Sequence, residues 1–298
     1  MAKQSELGRR EFLAAAAGAA VLDAQEPAIP LLDTHIHLFD TTRPQGVPWP
    51  PKDNKKLYQP AMPPRFRKLV EGLNVQGAIE VECSPWFADN QWVLDVAKTD
   101  KLIVGMIGHL DPGAAEFGAQ LDGLRKNPLY LGIRYGYVWP GNDLRAGLAK
   151  PGFRDGLKRL SDAGLTLDSA NPSPRLLEDL LRVKDLQPKL RVVLDHLPRL
   201  AEPEKSRGLL QELAKRPDVW IKVSGVVPHH PERLELIWET FGADRLVYGS
   251  DWPHSDNFGT YHEGLAIVKA FFGKKGREAS EKYFWRNSQA AYRWKPRA

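Results

Sequence analysis

The sequence predicts an α/β protein, a single-domain (β/α)8 TIM barrel, from three observations. Apolar, β-rich runs of strand length recur along the chain, eight of them after residue 25. Amphipathic stretches separate them, which is the pattern of parallel βαβ units. Ionisable side chains sit at the C-terminal ends of these runs, where such barrels collect their functional groups. A chain of 298 residues suits one barrel, since about 250 residues build one.

Residues 1–24 stand apart from the expected domain at 25–298. Leu7-Gly8-Arg9-Arg10-Glu11-Phe12-Leu13 sets paired arginines before Phe-Leu, and the small apolar run Ala14 to Leu22 follows. Leu22-Asp23-Ala24 offers a cleavage site. This is the pattern of a twin-arginine export signal and predicts an exported, periplasmic protein; an alanine-rich helical tail is the alternative. The run is too short to span a bilayer, which takes about 20 residues, and no other segment qualifies.

The elements follow in order. Strand one is Leu31–His37, where Asp33, His35 and His37 alternate with Leu32, Thr34 and Ile36. The connection Asp40–Met62 is long and proline-rich, and reads as a lid over the site. After the helical stretch Pro64–Leu73 comes strand two, Val75–Cys83, with Glu80 and Glu82 on one face. Asn90–Lys98, strand Leu102–Leu110 and Ala114–Lys126 follow, then strand four, Leu131–Val138, which carries Arg134. The helical stretch Phe153–Ala163 is stopped by Gly164. Strand five, Leu165–Ala170, holds Asp168, and the next helix, Pro174–Leu186, starts with Ser173 as N-cap and Pro174 at its first position. Strand six, Arg191–His196, ends on His196; Lys205–Lys215 separates it from strand seven, Val219–Val226, with Lys222 and Ser224. Pro231–Phe241 leads to strand eight, Arg245–Trp252, and Tyr261–Phe272 and Glu278–Ala291 close the chain.

Composition narrows the function. The chain is 42% hydrophobic and 27% charged, as globular proteins are. Its net charge of +5 comes from Lys and Arg interspersed with acids, so no nucleic-acid surface is implied; a mildly basic balance favours anionic substrates. The single cysteine, Cys83, excludes an internal disulfide and a cysteine zinc cluster.

If the strand series closes, the first and last strands are neighbours, and His35, His37 and Asp251 converge. Two imidazoles about 7 Å apart along a strand, with a carboxylate opposite, suit a divalent metal or a polar substrate, and point to a hydrolase. Asp251 is then a general base for water, or alternatively an N-cap. His196 could polarise a carbonyl or be a satisfied core histidine. Asp195 is expected to point the other way and brace a helix or loop. Arg134 could clamp an oxygen pair bidentately or form an ion pair with Glu80 or Glu82, and Lys222 carries the same two readings. Trp49, Trp86, Trp139 and Trp252 all follow strand ends and are expected to cluster at the mouth, where aromatic faces suit a cyclic ligand. His254 is a reserve candidate beside Asp251; His109, His262 and His229-His230 read as loop or helix residues.

Taken together, Asp33-Thr34-His35-Ile36-His37, Gly132-Ile133-Arg134, Asp195-His196-Leu197, Lys222-Val223-Ser224-Gly225 and Gly249-Ser250-Asp251-Trp252-Pro253, with Asn287 in the closing helix, resemble the amidohydrolase-related (amidohydrolase 2) branch of the amidohydrolase superfamily. The resemblance covers nearly everything after Leu31 and lies nearest the sugar-lactonase-like members. It implies a distorted (β/α)8 barrel, a water activated by Asp251, and a reacting carbonyl lined by His35, His37 and His196. Two departures stand out. Binuclear members carry a lysine on strand four, where this chain has Arg134-Tyr135-Gly136-Tyr137; decarboxylases carry a histidine on strand five, where it has Leu167-Asp168-Ser169-Ala170. The implied cofactor is therefore either none or one divalent metal, zinc foremost, on His35, His37 and Asp251, with waters or His196 completing the set. The expected activity is opening of a sugar-acid lactone or related cyclic ester, with Arg134, Lys222, Glu82, Trp139 and Trp252 binding the substrate. A metal-dependent amidohydrolase or decarboxylase, and a non-catalytic exported binding barrel, are the alternatives.

Overall fold

The computed structural model describes residues 27–198, 202–225 and 231–297; the expected export signal and His229-His230 lie outside them. Eight strands, β1 (Leu31–Ile36), β2 (Val75–Val81), β3 (Ile103–Gly108), β4 (Tyr130–Arg134), β5 (Thr166–Ala170), β6 (Arg191–Asp195), β7 (Val219–Val223) and β8 (Leu246–Tyr248), form one sheet in chain order. Each runs parallel to the next. The ends meet: Ile36 forms a parallel bridge with Trp252, His37 N donates to Trp252 O at 2.7 Å, and Asp251 N donates to His35 O at 2.8 Å. The barrel is thus the expected one, with register irregularities in the first three pairings and a last strand of 3 residues.

The outer layer is α1 (Pro63–Leu69), α2 (Phe87–Thr99), α3 (Phe117–Leu124), α4 (Leu144–Leu148), α5 (Pro151–Asp162), α6 (Pro174–Leu186), α7 (Pro203–Ala214), α8 (Pro231–Phe241) and α9 (Tyr261–Lys274). Ser173 caps α6 as expected, its Oγ accepting from Leu176 N, and Gly164 follows α5 with φ +69°. The short α4 has no counterpart in the sequence reading. The closing helix is also not continuous: α10 (Arg277–Glu281) passes through a π-helical turn, Lys282–Arg286, into α11 (Asn287–Tyr292). The wider turn lets Tyr283 and Phe284 bury while Asn287 Nδ2 donates to Ala243 O and Leu246 O, tying the segment to β8.

Two apolar clusters hold the layers. The larger joins outward strand residues such as Leu31, Ile36, Ile133 and Leu194 to the helices. The smaller joins Leu32, Ile79, Val104, Leu131, Val193, Trp220 and Val247 inside the barrel, with Tyr292 and Trp294 among them. Alternation along β1 is therefore broken. Leu32 takes the interior, and Asp33 instead ties β1 to β8, its Oδ1 accepting from His35 N and Ser250 N; the register shifts between Asp33 and Ile36. Among the described residues, no helix is long and apolar enough to cross a membrane.

Candidate active site

Five side chains meet at the C-terminal end of the barrel. Asp251 Oδ1 lies 3.2 Å from His37 Nε2 and 3.5 Å from His35 Nε2. Its Oδ2 lies 2.9 Å from His254 Nδ1 and 3.8 Å from His196 Nδ1. The backbone is bent to allow this. His196 and Asp251 have φ of +73° and +63°, a region costly for residues with a Cβ and often found at functional sites. Gly249 gives the passage room: a Cβ there would stand 2.7 Å from His35 Cβ.

Hydrogen bonding fixes part of the protonation pattern. His37 Nδ1 lies 2.7 Å from Val81 O, which can only accept, so that nitrogen carries the hydrogen. Its Nε2 then turns a lone pair toward the Asp251 carboxylate, an arrangement that asks for a proton or a cation between them. His35 is wholly buried and neither ring nitrogen has a hydrogen-bond partner. Ser224 Oγ holds His196 Nδ1 at 2.9 Å. Burial, reinforced by Lys222, holds His35 well below the usual histidine range, and burial also lowers His196. Burial pushes Asp251 up, but His196, His254, His37 and His35 outweigh it and hold the carboxyl well below its usual range. His254 is raised by its bond to Asp251. Neutral imidazoles around an ionised carboxylate are what a divalent cation needs. Donor atoms of His35, His196 and Asp251 all lie within 4.8 Å of one another, so these residues fit a metal. The expected set named His37 where the geometry groups His196; His37 stands beside Asp251 with its orienting bond to Val81 O, as metal-ligating histidines do.

Above these groups opens a cavity of about 240 Å³, lined by Trp49, Arg134, Trp139, Asn171, His196 and His254 among others. Arg134 Nε donates to Glu82 Oε1 at 2.8 Å, and Trp139 Nε1 donates to Glu82 Oε2 at 2.8 Å. Trp49 packs its ring 5.5 Å from His37 and 5.8 Å from His254.

Several expected residues stand elsewhere. Lys222 does not face the cavity: it is wholly buried, 2.9 Å from both Asp168 Oδ2 and Asp195 Oδ1. Asp195 points inward to that lysine rather than outward, on the same face of β6 as Val193, and the left-handed turn at His196 brings the next side chain inward as well. Trp252 is buried against Phe66 and Arg65 and does not line the cavity. Trp86 precedes α2 and stays partly exposed. Asn171, in the cavity wall, was missed; its one signal is its place just past a strand end. His254 was undervalued because a 3-residue offset on a loop carries no periodic signal.

The family model described as amidohydrolase matches residues 32–294. L-fucono-1,5-lactonase of Burkholderia ambifaria is 29% identical over 287 residues, covering 88% of this chain and 95% of that protein. The 4-sulfomuconolactone hydrolase of Rhizobium radiobacter is 25% identical over 249 residues, 76% of each. Among solved structures, an amidohydrolase of Burkholderia multivorans with bound zinc superposes with a TM-score of 0.80 at 22% identity, covering 89% of this chain and 100% of that one, a likeness of fold. The chain therefore belongs to the amidohydrolase family and is a hydrolase.

Proposed function

We propose that the protein is a lactonase that opens a sugar-acid lactone or related cyclic ester. The observation that carries this reading is a buried carboxylate, Asp251, ringed by four imidazoles under an aromatic-walled cavity. The relatives named as lactone hydrolases support it.

Asp251 takes a proton from water as the water oxygen attacks the lactone carbonyl. His35 and His196, the latter held by Ser224 Oγ at Nδ1, face the developing negative charge, while His37, its hydrogen committed to Val81 O, orients Asp251. The ring C–O bond then breaks, and the proton held at Asp251, which His254 touches at 2.9 Å, goes to the departing oxygen. A hydroxy acid results. An alkoxide leaving group in a strained ring ester needs no separate strong acid, and none is present among the described lining residues beyond His254. Trp49 and Trp139 offer flat faces to the ring. His35, His196 and Asp251, with His37 beside them, would hold a divalent cation, zinc foremost. When bound, it supplies a Lewis acid at the carbonyl oxygen. The paired Arg9-Arg10 extend the proposal to an exported, periplasmic enzyme.

Proton release from a panel of aldono-1,5-lactones, with metal-stripped and Zn²⁺-loaded protein side by side, tests the reading. Turnover of at least one lactone by either form is expected. Silence on every lactone, with amides cleaved or aromatic acids decarboxylated instead, would overturn it.

A further inference from the structure

Glu82 is a buried carboxylate that the proposed chemistry does not use. It stands behind the cavity wall: Arg134 and Trp139 line the cavity, and Glu82 is not among the lining residues. Its Oε1 accepts from Arg134 Nε at 2.8 Å, and its main-chain carbonyl accepts from Arg134 Nη2. Its Oε2 accepts from Trp139 Nε1 at 2.8 Å and from Ser84 N at 3.1 Å. A carboxylate has about four lone-pair sites, and protein donors fill most of them here.

Each bond fixes a direction. The guanidinium is planar, so two bonds along its Nε–Nη2 edge set its plane and the heading of its far edge. The Nη1–Nη2 edge remains open to oxygen atoms of a ligand; Asp195 Oδ2 stands 3.9 Å from Nη1. Trp139 rides on a turn with φ of +114° at Gly136, +61° at Tyr137 and +88° at Gly141. Tyr137 Oη ties the outer side of that turn to α6 by donating to Asp179 Oδ2 at 2.6 Å. On the inner side the indole bond to Glu82 holds the ring in the wall. One carboxylate thus joins the end of β2 to the end of β4 and to the loop beyond it.

We propose that Glu82 is a positioning residue: from behind the wall it aims the open edge of Arg134 and the ring of Trp139 at the substrate. That the substrate is a lactone rests on the reading above.

The test uses Glu82→Gln, whose single amide oxygen can serve only one of the two arms, and Glu82→Ala, which serves neither. Both are checked for folding by thermal unfolding. In protein labelled with ¹⁵N-tryptophan, the Trp139 indole signal is identified by its loss in Trp139→Phe. It should exchange slowly with solvent in the native protein, and shift and exchange faster in Glu82→Ala. By calorimetry with aldono-1,5-lactams, Kd should rise about fivefold in Glu82→Gln and about tenfold or more in Glu82→Ala, and lactone turnover should fall mainly through KM. Trp139→Phe should weaken lactam binding less in Glu82→Ala than in the native protein, since the ring is already released. An unmoved indole in folded Glu82→Ala overturns the proposal, as does an unchanged Kd for a lactam the native protein binds, or a loss confined to kcat. An indole that moves in a protein that opens no lactone upholds the positioning and sinks the lactonase reading alone. If neither variant folds, the native indole decides: rapid exchange with solvent overturns the proposal and slow exchange upholds it.

Discussion

At the scale of single residues, the unusual feature is a carboxylate facing lone pairs. His37 has its hydrogen committed to Val81 O, His35 has two unpartnered buried nitrogens, and both turn Nε2 toward Asp251 Oδ1. A cation resolves the conflict, and its binding must then stabilise the fold. At a Zn²⁺ concentration about 100 times its Kd, stability should rise by about 2.7 kcal/mol, or about 4–5 °C in Tm for a chain of this size. His196→Ala should lose most of that shift; an unmoved Tm in the metal-stripped native protein contradicts the metal fit. These residues were legible because strand-end histidines and acids announce themselves once eight strands are counted. The left-handed backbone at His196 and Asp251, and the pairing that sequesters Lys222, were not. They depend on which groups face each other across the closed barrel, and no local pattern encodes that.

At the scale of elements, helices are secured by contacts that sequence periodicity shows only in part. The start of α6 at Ser173-Pro174 was readable from cap chemistry, but its other end was not. There Lys184 Nζ donates to Pro188 O at 2.7 Å and Leu190 O at 2.6 Å, closing the turn into β6. Burial lowers this ammonium to about 8, against a reference value of 10.5. Between those values the unfolded chain keeps the proton that the folded protein has released, so this group's contribution to stability rises with pH across the window. Native protein should gain Tm relative to Lys184→Met from about pH 8 to about pH 10.5, and a constant difference between the two would count against the assignment. In α5, Gly156 lies against backbone: an added Cβ would stand 2.1 Å from Pro112 O. Alanine gains about 1 kcal/mol of helix propensity, but overpacking against an immobile carbonyl costs about 1–3 kcal/mol or more. Gly156→Ala should therefore destabilise by about 2 kcal/mol in denaturant unfolding; unchanged or greater stability would show that α5 can move away. The π-helical turn after α10 was hidden for a related reason, since Lys282–Arg286 holds neither Gly nor Pro to mark it.

At the scale of the whole molecule, the barrel was readable because runs such as β3 and the Val192–Leu194 centre of β6 are apolar and buried on both faces, separated by helical stretches of ordinary length. Closure is what converts that series into chemistry, by bringing β1 beside β8. The export proposal is tested on the full chain in a bacterial host: Arg9→Lys with Arg10→Lys should shift the protein from the periplasmic to the cytoplasmic fraction, and an unchanged distribution would refute it. The proposed chemistry turns on Asp251 as the group that activates the water opening the ring. It is tested most directly by kcat and KM of Asp251→Asn against the native protein on a lactone the native protein turns over. With Asp251 as the base, kcat falls by about 10² to 10⁴ with KM little changed; near-native turnover by a folded Asp251→Asn protein would rule that role out.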